Sequence, residues 1–310
     1  MMTFEKLYEV WKADKASGFK ASTYAAYIMT AETYLLPNIG EMEEIGEAEI
    51  MSLQEKLREG SGEESAYNSA RLALTIIRHG AKKGLCPMPN WSVTRANASM
   101  RKRPADFCPL TPKQQAAIIA YIATDRSPRN IGVYLAVTTG VTSGELCSLR
   151  WQDIDFKARV LHVRGIAGNY YKINDETQER TWSVEVGENA AVRDIPLSDT
   201  QLRFLEPGID AHSPEIFIIN NQSKPWERRY LRDYIKKVYD ELDIKGHQYK
   251  DLRHSFAIRC IEAGCDYGSL SRLLGVTHID RLFAAYQPYV KEDPRKYMEK
   301  AMGAISSSSR

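Results

Sequence analysis

The sequence predicts two domains, mainly helical, with a small β-sheet in the second. Three observations lead there. The chain is 310 residues long, which suits two hydrophobic cores better than one. Apolar residues recur at helical spacing through residues 1–92 and through most of 109–310, interrupted by Pro, Gly and Ser/Thr caps. Two short segments, RVLHVRG (159–165) and RTWSVEV (180–186), alternate instead as strands do.

Composition excludes several classes. No run of eighteen apolar residues is present, so no helical membrane span is expected. The opening MMTFEKLYEVWKADK reads as an amphipathic helix and not as a signal peptide. The five cysteines are scattered, odd in number and without a CxxC pair, which points to reduced thiols in a cytoplasm. The six histidines do not cluster with them, so no metal site is expected. Net charge is only +2, and residues 1–100 hold 11 Lys/Arg against 13 Asp/Glu. Any phosphate binding must therefore come from local patches: Arg101-Lys102-Arg103, Lys224 to Arg232, and Lys245 to Arg253.

In chain order, Phe4, Leu7, Tyr8 and Trp11 mark a first helix. Ser22 or Thr23 is the expected cap of a second, which Pro37-Asn38-Ile39-Gly40 should stop. Glu47 to Glu59 is a third, ended by Gly60-Ser61-Gly62. Glu63 to Lys83 is a fourth, closed by Gly84. Four such helices make a small bundle. The run STYAAY…LLPNIG…EAEIMSLQEKL…AYNSARLALTIIRHGAKKGL resembles the core-binding domain of phage-type integrases, which grips duplex DNA. Residues 93–108 lack periodicity and read as a basic linker, either against the DNA backbone through Arg101, Lys102 and Arg103 or as a plain hinge.

From Pro109 a second domain begins. Thr111 is the expected cap of its first helix, with Pro112 in the first turn. Ile131 to Val137 is apolar and helical. The stretch TTGVTSGELCSLRWQDID (138–155) resembles the first catalytic box of tyrosine recombinases, through Thr139, Gly140, Glu145, Leu146, Leu149, Trp151, Asp153 and Ile154. The two strands should be joined by a polar hairpin tip, GNYYKINDETQE. GENAAVRDIPL (187–197) matches the family's strand ending in Arg-x-Ile-Pro-Leu. Residues 198–245 carry helical signals, with Pro225-Trp226 opening one helix.

The stretch YKDLRHSFA (249–257) concentrates the chemistry. On a helix Lys250 and Arg253 share one face, while Leu252, Phe256, Ile258 and Ile261 supply the buried side. Two such cations near a tyrosine suit the holding of a phosphodiester while a phenol oxygen attacks it. The segment resembles the recombinase box His-x-Leu-Arg-His, with Lys250 at the histidine position. Type IB topoisomerases also carry a lysine there. LLGVTHIDRLFAAY (273–286) resembles the family's Leu-Gly-His segment and its tyrosine. Lys291 to Met302 reads as a last helix, of a kind that packs on a neighbouring protomer in the family. The fold so implied is an N-terminal helical core-binding domain (1–92), a linker (93–108) and a tyrosine-recombinase catalytic domain (109–310).

The resemblance implies a reaction. A tyrosine oxygen attacks phosphorus, leaving a 3′-phosphotyrosyl bond and a free 5′-hydroxyl, without metal, ATP or small-molecule cofactor. Two arginines clamp the charge that develops on the phosphate oxygens, bidentately, as lysine or threonine cannot. Carried over by position, Tyr286 is the nucleophile with Tyr289 as runner-up, Arg253 the second arginine, Lys250 a substitute for the first histidine, and His278 one for the second. The first arginine falls on Thr142, the hairpin lysine near Gly187 or Glu188, and the second histidine on Val276. Arg150, two turns on from Thr142 along the expected helix, Lys172 in the insert, and Arg193 are the candidate replacements. The expectation is a site-specific recombinase or integrase of a phage or mobile element, acting on double-stranded DNA in the cytoplasm and nucleoid as a tetramer on paired sites. The alternative is a recombinase-like protein that recognises a DNA site or a partner recombinase without cleaving. A topoisomerase-like relaxer is a third reading.

Overall fold

The computed structural model describes residues 2–15, 18–94, 107–173, 180–209 and 213–289, with six single positions beyond. The chain falls into two compact units: Met1–Arg101 with Asn169–Ser183, and Lys102–Gly168 with Val184–Arg310. Arg101, Lys102, Arg103 and most of the expected C-terminal helix lie outside the described residues.

The first unit is helical apart from the hairpin segment. α1 (Phe4–Lys15) turns Phe4, Leu7, Tyr8 and Trp11 inward, as their spacing dictates. α2 (Ala21–Thr30) starts after Lys20 with no side-chain cap, so neither Ser22 nor Thr23 does that work. It runs through one π-helical turn (Ala31–Leu35) into α3 (Leu36–Ile39). The helix ends at Ile39, inside the expected stop Pro37 to Gly40, with Pro37 itself admitted to its last turn. The widened turn ahead of it relieves the usual clash, and the Tyr34 carbonyl accepts from Asn38 Nδ2 at 2.8 Å. α4 (Glu47–Ser61) and α5 (Glu63–Lys82) form a hairpin around Gly62, whose φ of +79° few other residues adopt. Ile50, Leu53 and Leu57 meet Leu72, Ala73, Ile76 and Ile77 in the core.

The second unit opens with α6 (Pro112–Ala123), where Thr111 Oγ1 accepts from the Gln114 N–H at 3.2 Å. α7 (Pro128–Thr139) is buried almost all round, as a central helix must be, and stops at Gly140 with φ +67°. α8 (Ser143–Leu146) follows, then a 3₁₀ turn (Trp151–Asp153). The sheet has order β1-β2-β3. β1 (Ile154–Asp155) pairs antiparallel with β2 (Val160–Ile173), Ile154 opposite Leu161. β3 is Arg180–Pro196. β2 runs past the expected 159–165, whereas β3 joins the expected 180–186 to the expected strand of 187–197. β2 continues through Gly168 to Ile173.

α9 (Asp199–Ile209) and α10 (Arg228–Glu241) lead to α11 (Tyr249–Glu262), α12 (Tyr267–Leu274), α13 (Ile279–Tyr286) and a closing 3₁₀ turn (Gln287–Tyr289). One core joins α7, the sheet and α10. A second joins α11, α12 and α13 with Phe107. Among the described residues no helix is long and apolar enough to cross a membrane, and no cluster of His, Cys, Asp and Glu could hold a metal ion.

Candidate active site

Three segment ends meet at Arg253. Its Nη1 donates to the Gly140 carbonyl at 2.8 Å and its Nη2 to the Leu274 carbonyl at 2.7 Å. The left-handed residues Gly140 and Gly275 turn the chain sharply after α7 and α12, presenting those carbonyls. Tyr249 reinforces the first turn, donating to the Val141 carbonyl at 3.0 Å. Two of the guanidinium's five N–H groups are thus used for anchoring, and Nη1 also lies 4.0 Å from Glu145 Oε2. Lys250 is exposed one turn earlier, in the first turn of α11. An anion is favoured at such a helix start.

Tyr286 ends α13 and is 3% exposed. Its hydroxyl lies 3.0 Å from His254 Nδ1. Burial pushes the phenol up to about 12, against the pull of Arg253. Burial, then the charges of Arg253 and Lys250, bring the imidazole down to about 4. At neutral pH a neutral phenol therefore faces a neutral imidazole. The Phe107 ring stacks on His254 with centroids 3.9 Å apart and meets Tyr286 edge-on at 5.6 Å. Tyr289 stacks on the Phe107 ring with centroids 4.8 Å apart and donates its hydroxyl to the Phe107 carbonyl at 3.1 Å.

The other expected residues are placed differently. Thr142 is the N-cap of α8: its Oγ1 accepts from the Glu145 N–H, and its own N–H donates to Glu145 Oε2. Glu145 forms a buried fork with Arg193, Nη1 to Oε1 at 2.6 Å and Nη2 to Oε2 at 3.0 Å. Arg193 also donates to the Leu273 and Ala191 carbonyls. The Arg193 side chain is thus 5% exposed, its donors turned to Glu145 and to two carbonyls. Asn189 Nδ2 donates to Glu145 Oε1 at 2.9 Å. Burial raises the Glu145 carboxyl, but Arg193, Thr142 and Asn189 outweigh it and hold the group at about 2.

Arg150 is not on the helix of Thr142. α8 ends at Leu146, and the Arg150 guanidinium lies over the Phe217 ring at 4.8 Å. Lys172 is on β2, its side chain outside the described residues. Glu188 is exposed on β3. Val276 packs against the cluster that holds Tyr286. His278 is exposed at the start of α13, and its ring makes no hydrogen bond among the described residues. The structure thus gathers Arg253, Lys250 and Tyr286 on α11 and α13. It adds His254 and Phe107, which the sequence reading gave no role. His254 directly follows Arg253 in the quoted stretch, and its turn of about 100° around the helix axis aims it at α13 instead.

The chain is similar to known proteins in both its N-terminal and C-terminal parts. Residues 109–292 match the model of the phage integrase family, and residues 3–58 that of the phage integrase N-terminal SAM-like domain. A tyrosine recombinase of Thermosipho africanus is 26% identical over 185 residues, 58% of this chain and 56% of that protein. The tyrosine recombinase XerA of Pyrococcus furiosus is 29% identical over 173 residues, 54% and 52%. The chain spans about half the length of these curated relatives. Among solved structures, the Tn1549 transposon integrase in complex with a circular intermediate DNA superimposes with a TM-score of 0.71 at 17% identity, over 97% of this chain and 100% of that one. A lambda integrase dimer bound to a core site gives 0.63 at 17% identity, over 94% and 79%. These likenesses show the fold, and the family match extends over more than half of the chain. The chain belongs to the phage integrase family, the tyrosine recombinases.

Proposed function

We propose that the protein is a site-specific DNA recombinase that binds duplex DNA and cleaves it slowly through Tyr286. The observation that carries this reading is the meeting of the Tyr286 hydroxyl, the neutral His254 imidazole and the Arg253 guanidinium at one place. The scissile phosphate is held by Arg253 and by Lys250. Tyr286 Oη bonds to phosphorus as its proton passes to His254 Nδ1. The 5′-oxygen leaves and takes a proton from water. The 3′-phosphotyrosyl bond conserves the phosphodiester energy for rejoining. The division into a helical domain (1–92), a linker (93–108) and a catalytic domain (109–310) provides two DNA-contacting parts, and protomers assemble as tetramers on paired sites in the nucleoid.

Slowness follows from what is missing. One absent anion donor costs on the order of 10²–10³ in rate, and Thr142 is committed to capping α8. That same commitment favours a second reading, a protein that binds a DNA site and leaves it intact. Denaturant-quenched incubation with supercoiled plasmid and with the protein's own flanking DNA separates the two. A covalent adduct that forms over hours and is lost in Tyr286→Phe supports the recombinase. Salt-sensitive binding with no adduct would leave only the binding reading.

A further inference from the structure

Residues Phe107 to Leu110 are fastened to α11 and to His247 just before it. The Cys108 carbonyl lies 3.0 Å from His247 Nδ1, and the Leu110 N–H donates to Ser255 Oγ at 2.7 Å. Just before these anchors the Phe107 ring, 7% exposed, is nearly parallel to the His254 imidazole, with an interplanar angle of 9°. The ring fixes the plane in which Nδ1 can point, and Nδ1 points at the Tyr286 hydroxyl. The backbone of the same residue holds the other tyrosine: its carbonyl accepts from Tyr289 at 3.1 Å. One residue therefore touches both candidate nucleophiles, and in different ways. The Tyr286 hydroxyl lies against an imidazole nitrogen, a group that can take up a proton, whereas the Tyr289 hydroxyl donates to an amide carbonyl, which does not.

We propose that Phe107 is the positioning residue that selects the nucleophile, aiming His254 at Tyr286 through the ring stack while its carbonyl withholds Tyr289. The proposal rests on the reading that a tyrosine of this site attacks DNA. Phe107 itself touches no reacting atom. Without the ring, the imidazole turns about its Cβ–Cγ bond and Nδ1 no longer stays on the Tyr286 hydroxyl. Loss of that alignment lowers the chance that proton transfer and attack coincide, since misplacement by an ångström can cost about 10²-fold. Slackening of the Phe107 backbone at the same time frees Tyr289 to compete.

Phe107→Leu keeps the apolar volume and removes the ring, and Phe107→Tyr restores a ring. Adduct formation on flanking DNA is followed with peptide mapping of the modified tyrosine. The state of His254 is read separately, in DNA-free protein, by ¹⁵N NMR of labelled histidine. The expected result is a single His254 tautomer with unprotonated Nδ1 in the wild type and in Phe107→Tyr. In Phe107→Leu the two tautomers mix, the adduct forms at least about tenfold more slowly, part of it maps to Tyr289, and duplex affinity is unchanged. An unaltered His254 tautomer in Phe107→Leu overturns the proposal, as does adduct confined to Tyr286 at the wild-type rate. Complete absence of adduct in the wild type removes the cleavage reading instead, and the DNA-free tautomer then decides the alignment on its own.

Discussion

Position 142 offers a direct trial of the missing clamp. Thr142→Arg should raise the rate of adduct formation by roughly 10²-fold, because one oxyanion-type donor is worth that much. It should also cost about 1 kcal/mol of stability, since the Oγ1 cap on the Glu145 N–H disappears. Quench assays and thermal melts of the same preparation read the two effects, and a variant that neither gains rate nor loses stability would contradict the assigned role of Thr142. The Glu145–Arg193 fork is a stability device by the same reasoning. Glu145→Gln leaves a buried guanidinium without its counter-charge and should cost on the order of 3–5 kcal/mol. Its titration has a definite sign. The folded carboxyl lies at about 2 against an ordinary 4.5, so its contribution is full above pH 4.5 and is lost as pH falls towards 2. His254, brought down to about 4 from 6.5, acts in the same direction: it must be protonated more readily once unfolded, so stability declines below pH 6.5 and towards 4. Urea melts between pH 7 and 3 should show a continuous fall in the midpoint, shallower below pH 4.5 in Glu145→Gln. Tyr286 and Arg253 were legible in the sequence because they stand in motif strings. The partner of Arg193 was not, because Glu145 is 48 residues away and a strand arginine gives no local sign of a buried carboxylate.

The elements were legible where a local signal ends them. Thr111 and Pro112 open α6 as expected, and Gly140 and Gly275 close α7 and α12 in the left-handed region. Pro37 to Gly40 end the helix as expected, although a π-helical turn just before them, invisible to spacing rules, admits Pro37 itself. Arg150 was misplaced because α8 lasts only four residues, too short for periodicity to register. The same glycines carry the prediction at this scale. A Cβ on Gly140 would meet Phe256 Cδ1 at 2.5 Å, and one on Gly275 would meet Ala191 Cβ at 2.9 Å and the Ala191 carbonyl at 3.1 Å. Gly264, with φ of +92°, has nothing within 4 Å of its would-be Cβ. Gly264→Ala should therefore show only the backbone penalty, roughly 1–2 kcal/mol. Gly140→Ala and Gly275→Ala should exceed it by at least about 1 kcal/mol through forced repacking. Both should also slow adduct formation, because the Gly140 and Leu274 carbonyls that orient Arg253 belong to these turns. Equal melting points for the three variants would show that close packing at the two turns contributes nothing.

For the molecule as a whole, the decisive quantity is the dependence of DNA affinity on salt. A net charge of only +2 means that general attraction to a polyanion is weak, so affinity must come from discrete contacts between cations and phosphates. Each such contact releases condensed counterions, and log K falls linearly with log salt with a slope of about −0.9 per contact. A protein holding six phosphates would lose about 10³-fold between roughly 50 and 200 mM salt. Lys250 is the sharpest probe within that sum. It is exposed and makes no ion pair among the described residues, so removing it should disturb neither core nor caps. Lys250→Gln should weaken binding about equally for all duplex sequences and reduce the magnitude of the salt slope by about one, with the melting temperature unchanged. Fluorescence anisotropy on a short duplex at four or more salt concentrations measures both numbers. An unchanged slope would place Lys250 away from the phosphate and leave Arg253 to hold it alone. Adduct formation by Lys250→Gln would then match the wild type, whereas a phosphate-holding Lys250 requires both the slope and the rate to fall together.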